Sequence, residues 1–174
     1  MLNQNASSSL LFITLALALT VALASCDDNN ITSISYHDIG PFDLSGAERI
    51  ETEEGLVIYE HQEGDGAQIA EEVHQVLIRY TGRTTDGEIF DSSYRNEFDS
   101  PRSMNVRRND LIRGFFQGLV GVHVDGERKY YSREGTQRTL IIPPELGYGD
   151  SPGHWLGSDT LIFDFEIIEI SFQD

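Results

Sequence analysis

Apolar residues recur at every second position in several stretches of the chain, and each stretch predicts a β-strand. Leu56 and Ile58, flanked by Val57 and Tyr59, form one such pattern. Val76, Ile78 and Tyr80 share one face of a strand over residues 73–80. Residues 139–142 form a short strand that Pro143-Pro144 stops, because proline offers no backbone N–H. Leu161, Phe163, Phe165 and Ile167 alternate in a final strand. One stretch reads differently: residues 111 to about 122 predict a short helix with Asp110 as its N-cap. Glu63-Gly64-Asp65-Gly66 reads as a turn, since glycine tolerates positive φ, and Thr85-Asp86-Gly87 as a hairpin turn. The Gly-Asp-Gly turn lacks the Lys-Ser/Thr of a phosphate loop. Strands dominate and one helix stands out. The expected fold class is α+β, a curved antiparallel sheet wrapped around one short helix.

Residues 10–23 are nearly all apolar and uncharged, but the run is shorter than the roughly 20 residues of a spanning helix. It ends in Leu23-Ala24-Ser25-Cys26, a tetrad that resembles a bacterial lipoprotein signal. That resemblance implies diacylglycerol on the Cys26 sulfur, cleavage before Cys26 and acylation of the new amine. Residues 1–9 depart from the type, having no Lys or Arg. An ordinary secretory signal cut elsewhere, or an uncut anchor, are the other readings. The expected organisation is a signal peptide over 1–25, lipidated Cys26 and a flexible tether over 26–49, and a folded domain over 50–174. Cys26 is the only cysteine, which excludes an intramolecular disulfide.

Charge narrows the function classes. A net charge of −17 argues against a basic face for nucleic acid or anionic lipid. His37, His61, His74, His123 and His154 show no ligand spacing, so no metal site is expected. Neither a Gly-x-Ser-x-Gly element nor a cysteine–histidine pair marks a nucleophile.

Five ordered motifs remain. They are Tyr80-Thr81-Gly82, Asp86-Gly87-Glu88-Ile89-Phe90-Asp91-Ser92-Ser93, Leu111-Ile112-Arg113-Gly114-Phe115, Ile142-Pro143-Pro144-Glu145-Leu146-Gly147-Tyr148-Gly149 and Leu161-Ile162-Phe163-Asp164-Phe165. In order and in much of their spacing they resemble the FKBP-type peptidyl-prolyl cis-trans isomerases, over roughly residues 51–171. The resemblance implies that Tyr80, Phe90 and Phe163 wall a prolyl pocket, with Phe115 as its floor where the family usually has Trp. It implies that Leu111 and Ile112 contact substrate, the Ile112 N–H holding a carbonyl. The Tyr148 hydroxyl is expected as a second donor, and Asp91 as the carboxylate that orients Tyr80. Taken singly, the aromatics read more often as core than as site, and Asp91 also reads as a turn carboxylate and Tyr148 as a loop anchor.

The departures fall around the rim. Pro101, Arg102, Ser103 and Met104 replace an alternating Phe-x-Phe stretch, with Phe98 nearby as a substitute. His154 and Trp155 stand where the family often has aliphatic residues, and Trp155 is expected to pack at the rim as a substrate contact. The span from Val122 to Gly135 exceeds the family norm by roughly nine residues. It reads as a solvated insertion, as a small hairpin, or as a partner contact carried by its basic and aromatic residues.

Such a pocket needs no cofactor. Rotation about an X-Pro bond must break amide resonance, against a barrier of about 18–20 kcal/mol. A dry cleft shaped for the twisted, less polar form lowers that barrier. The expectation is an isomerase of proline-containing polypeptides, lipid-anchored in a bacterial envelope and facing the periplasm or exterior. The alternatives are a catalytically weak binding module or chaperone, and a scaffold lipoprotein with an envelope protein partner.

Overall fold

A computed structural model describes residues 38–69, 74–94 and 101–172. The lipoprotein tetrad, the apolar run before it and Phe98 lie outside these residues. The strands are β1 (Glu48–Glu51), β2 (Val57–Gln62), β3 (His74–Arg83), β4 (Ile89–Ser92), β5 (Arg102–Val106), β6 (Val122–Val124), β7 (Glu127–Lys129), β8 (Gln137–Ile142) and β9 (Leu161–Phe172). Among the described residues one α-helix, α1, spans Arg113–Val120, and a 3₁₀ turn spans Pro144–Leu146.

Seven strands make one antiparallel sheet in the order β1-β2-β8-β9-β3-β4, with β5 paired to β3 beside β4. The alternation read in the sequence sets its inner face. Ile58, Val76, Ile78, Tyr80, Leu140, Ile142, Leu161, Phe163, Phe165 and Ile167 are buried there with Phe115, Phe116, Leu119 and Val120 of α1. The sheet curves around this single helix, which is the α+β arrangement the pattern predicts.

Strand β9 keeps its period of two only as far as Ile167. Leu77 pairs with Glu169 but Ile78 pairs with Ile167, so Ile168 is an extra, bulged residue. The bulge resets the phase, and Ile170 returns to the buried face opposite Val76.

The helix is shorter than the sequence predicts. Ile112, with extended backbone (φ −60°, ψ 147°), is its N-cap and makes no side-chain capping bond, so Asp110 does not cap it. Gly121 ends it at φ +90°, a conformation that favours glycine, and Val122 already belongs to β6. Gly64 and Gly66 also serve a different purpose from the one expected. Neither has positive φ; a Cβ on Gly64 would stand 2.2 Å from the Glu134 carbonyl oxygen, so close backbone approach selects glycine there.

The span from Val122 to Gly135 does form a small hairpin, β6–β7, turned by Asp125-Gly126 with both residues at positive φ. Arg138 of β8 holds its base. This arginine, 1% exposed, pairs with Glu60 at 2.6 Å and donates to the carbonyls of Gly118, Tyr130 and Tyr131 and to Ser132 Oγ.

The described part of the expected tether is not a free spacer. Arg83 bridges Asp164 (2.6 Å) and the Ile39 carbonyl (2.6 Å), and the Phe42 N–H donates to Asp164. Phe42 also meets the His61 ring edge-on at 5.3 Å. Residues 39–42 are thus held by polar side chains of β3 and β9, a signal that hydrophobic periodicity does not carry.

Candidate functional site

Four rings converge over one end of the sheet. Phe163 of β9 lies at the centre, 4.9 Å from Phe115, 5.4 Å from Phe90 and 6.4 Å from Tyr80, measured between ring centroids. Phe115 reaches Tyr80 at 6.2 Å and Phe165 at 5.8 Å. The contacts are edge-on or tilted, the arrangements that oppose a positive ring edge to a negative face.

Each ring owes its place to a local feature. Phe90 is the extra residue of a bulge in β4, since Gly82 pairs with Asp91 and Arg83 with Ile89. Gly82 is where two rings cross the backbone of β3: a Cβ there would stand 2.7 Å from Phe163 and 2.8 Å from Phe90. Phe115 sits in the first turn of α1. The helix lies close to β8 because Gly114 and Gly118 face Ile142 and Leu140, where a Cβ would come within 2.5 Å and 2.4 Å.

The rings border a cleft of about 330 Å³, lined by Tyr80, Phe115 and Phe163 with Asp91, Leu111, Ile112 and Tyr148. That size suits a small group such as a prolyl ring with its neighbours. Phe90 is not among the lining residues; it supports Phe163 edge-on. Ile112 precedes the helical ladder, so no intrahelical carbonyl takes its N–H. Trp155 is not among the residues that line the cleft. It is 65% exposed, while its neighbour Leu156 takes the buried position.

One polar network faces this apolar floor. The Tyr80 hydroxyl donates to Asp91 at 2.9 Å and accepts from Arg102 at 2.7 Å, while Arg102 and Asp91 stand 3.8 Å apart. Burial, and then the neighbouring Asp91 carboxylate, push the Tyr80 phenol up from 10.0 to about 12. Tyr80 therefore stays a neutral donor at any physiological pH. Burial, followed by the Asp91 charge, also raises Tyr148. The Tyr148 ring is stacked on His154 at 3.9 Å and 14°. His154 Nδ1 accepts the Leu156 N–H, which fixes the ring that fixes Tyr148.

Sequence reasoning missed two of these parts. Arg102 reads as a departure from an aromatic pattern, yet it lies opposite Ile78 on β5 and so projects from the cleft-bearing face. The alternation Arg102, Met104, Val106 is the signal that could have found it. His154 reads equally as an ordinary surface histidine, and only its stacking on Tyr148 distinguishes it.

A buried aromatic floor with two phenols makes a site suited to shape and desolvation. Comparison with known proteins agrees with that geometry. A family model for the FKBP-type peptidyl-prolyl cis-trans isomerase matches residues 66–168. Peptidyl-prolyl cis-trans isomerase FKBP15-1 of Arabidopsis thaliana is 37% identical over 99 residues, which is 56% of this chain and 57% of that protein. The photosynthetic NDH subunit of lumenal location 4 of the same plant is 38% identical over 102 residues, 55% of this chain and 44% of that protein. The chain thus spans about half the length of these curated relatives. Among solved structures, AtFKBP13 superposes with a TM-score of 0.58 at 32% identity, covering 70% of this chain and 98% of that one. FkpA from Escherichia coli gives 0.57 at 27% identity, covering 71% and 51%. The chain belongs to the FKBP-type peptidyl-prolyl cis-trans isomerase family.

Proposed function

We propose that this chain accelerates cis-trans isomerisation of X-Pro bonds in polypeptides outside the cytoplasm of a bacterium. The observation that carries the reading is the convergence of Tyr80, Phe115 and Phe163 on one cleft, with Phe90 bracing Phe163. A prolyl ring in this cleft exchanges water for contact with Tyr80, Phe115 and Phe163. The planar amide is the more polar state, so its desolvation raises the ground state relative to the twisted transition state. The Ile112 N–H holds the substrate carbonyl, and Tyr148 donates to the peptide beyond it. The Asp91–Tyr80–Arg102 network keeps the Tyr80 ring in place and sets the field at the cleft mouth. None of these groups transfers a proton. An acceleration of about a million corresponds to roughly 8 kcal/mol of preferential stabilisation, drawn from shape, desolvation and aimed dipoles.

Short X-Pro peptides coupled to a conformer-selective protease test this. We expect turnover that Phe90→Ala and Tyr148→Ala each lower by an order of magnitude or more. Turnover absent from the wild-type chain, with aggregation of an unfolded protein suppressed, would make it a binding module instead.

Localisation is argued from Leu23-Ala24-Ser25-Cys26. Lipid on Cys26 anchors the chain, since each buried CH₂ contributes about 0.8 kcal/mol. Cys26→Ala is expected to release the protein from the membrane fraction of its host. Retention of that variant on membranes contradicts the lipid anchor.

A further inference from the structure

The two phenols of the cleft are held in different ways. The Tyr80 hydroxyl is engaged on both sides, donating to Asp91 and accepting from Arg102. The Tyr148 hydroxyl has no hydrogen-bond partner among the described residues; burial and the Asp91 charge are what act on it. Its O–H is left for a ligand, and no polar neighbour sets where it points. The place of that hydroxyl depends on how its ring is packed.

His154 supplies that packing. The two rings lie nearly parallel, at 14°, with centroids 3.9 Å apart. A ring pressed flat against another cannot swing toward it, and swinging away forfeits the contact. The His154 ring is itself fixed at several points. Gly153, at φ +79°, turns the chain back so that residue 154 returns over residue 148. Consecutive turns tie the loop: the Ser151 N–H donates to the Tyr148 carbonyl at 2.9 Å, the His154 N–H to the Ser151 carbonyl at 3.1 Å and the Gly157 N–H to the His154 carbonyl at 2.9 Å. His154 Nδ1 accepts the Leu156 N–H at 3.2 Å, so the neutral ring carries its proton on Nε2. Leu156 is buried in the core. A line of support thus runs from the core through Leu156 and His154 to the Tyr148 ring. The backbone beside Tyr148 is anchored separately, by the Gly149 N–H on the Pro144 carbonyl at 2.7 Å. The side-chain torsions of Tyr148 are the freedom that His154 removes.

We propose that His154 is a positioning residue of the isomerase site: by stacking, it keeps the Tyr148 hydroxyl where that group donates to a carbonyl of the bound peptide. The proposal rests on the isomerase reading above and adds the residue on which its second donor depends. His154 touches no reacting atom and exchanges no proton. It acts through Tyr148, and the part that acts is the flat face of the ring, since Nδ1 is committed to Leu156.

The test uses the full chain and a short X-Pro peptide. His154→Ala is expected to lower kcat/KM about threefold to tenfold, chiefly through KM, because a donor held in place serves the planar bound peptide as well as the twisted one. The same substitution made in Tyr148→Phe is expected to change kcat/KM by less than about twofold, because no hydroxyl is left to place. A general effect on folding would lower both backgrounds alike. Two more variants separate the ring from the acceptor. His154→Phe keeps a flat ring without the acceptor nitrogen and is expected to retain roughly half of the activity or more. His154→Asn keeps an acceptor near the Leu156 N–H without the ring, and is expected to match His154→Ala. Three results each overturn the proposal: His154→Ala within about twofold of wild type, equal losses in the two backgrounds, or activity kept by His154→Asn and not by His154→Phe. If the wild-type chain turns over no peptide, the isomerase reading fails by itself, and fluorescence anisotropy of a labelled X-Pro peptide decides the positioning role. Weaker binding by His154→Ala that vanishes in the Tyr148→Phe background supports it. Equal losses in both backgrounds, unchanged binding, or no binding at all overturns it.

Discussion

Tyr80 belongs to the floor of the cleft by its ring and to an ion pair by its hydroxyl. Removing the hydroxyl leaves Asp91 and Arg102 without the group between them, so Tyr80→Phe is expected to cost about 1–2 kcal/mol of stability near neutral pH. The pH dependence has a definite sign. The folded phenol titrates at about 12 and the ordinary one at 10.0, so above pH 10 the folded state holds a proton that the unfolded state has released. Stability contributed by this group is intact below pH 10 and is lost between pH 10 and about 12, at about 1.4 kcal/mol per pH unit. Denaturant unfolding of wild type and Tyr80→Phe across this window checks it. The variant is expected to lack that part of the alkaline slope, and parallel slopes contradict the assignment.

At the scale of elements, the cleft depends on how closely α1 approaches β8. Gly118→Ala would put a Cβ 2.4 Å from Leu140 Cδ1, and the helix must move outward. Overpacking of this kind costs about 1–3 kcal/mol. Because Phe115 sits on the same helix, isomerase activity is expected to fall along with the melting temperature. Activity unchanged in a destabilised variant would separate the helix position from the floor of the cleft. The elements also show how much the sequence disclosed. The alternating faces of β3, β8 and β9 were legible because one side of each strand meets a core. So were the four rings that converge, because the motifs around them are ordered. The bulges at Ile168 and Phe90 were not, since an extra residue looks locally like any other and only the partner strand reveals the slip. Arg102 was hidden because a charged residue on an inner face breaks the very rule used to find faces. Trp155, expected at the rim, is largely exposed and is not among the residues that line the cleft.

Across the whole molecule, buried charge ties the strands to their additions. Arg83 and Asp164 hold residues 39–42, and Arg138 with Glu60 holds the base of the hairpin. Burial raises the Glu60 carboxyl and Arg138 opposes that rise. Arg138→Met leaves Glu60 buried without its cation and is expected to cost about 3–5 kcal/mol. The carboxyl of the variant is pushed higher still, so above the ordinary carboxylate range the folded state holds more of a proton that the unfolded state has released. Stability of the variant therefore falls as pH rises from mildly acidic to neutral, where the wild type falls less. Chemical denaturation at about pH 5 and pH 7.5 reads the difference. Adding Glu60→Gln is expected to recover part of the loss, and a double variant no better than the single one contradicts the pairing.

The most direct measurement of the cleft's role is magnetisation-transfer NMR of a short X-Pro peptide mixed with the full wild-type chain. We expect the cis and trans resonances to exchange at a rate proportional to protein concentration, with peptide-induced shifts at Phe115, Tyr148 and Phe163. Shifts at those rings with exchange no faster than in buffer would contradict the reading, because the converged rings would then hold proline without easing its rotation.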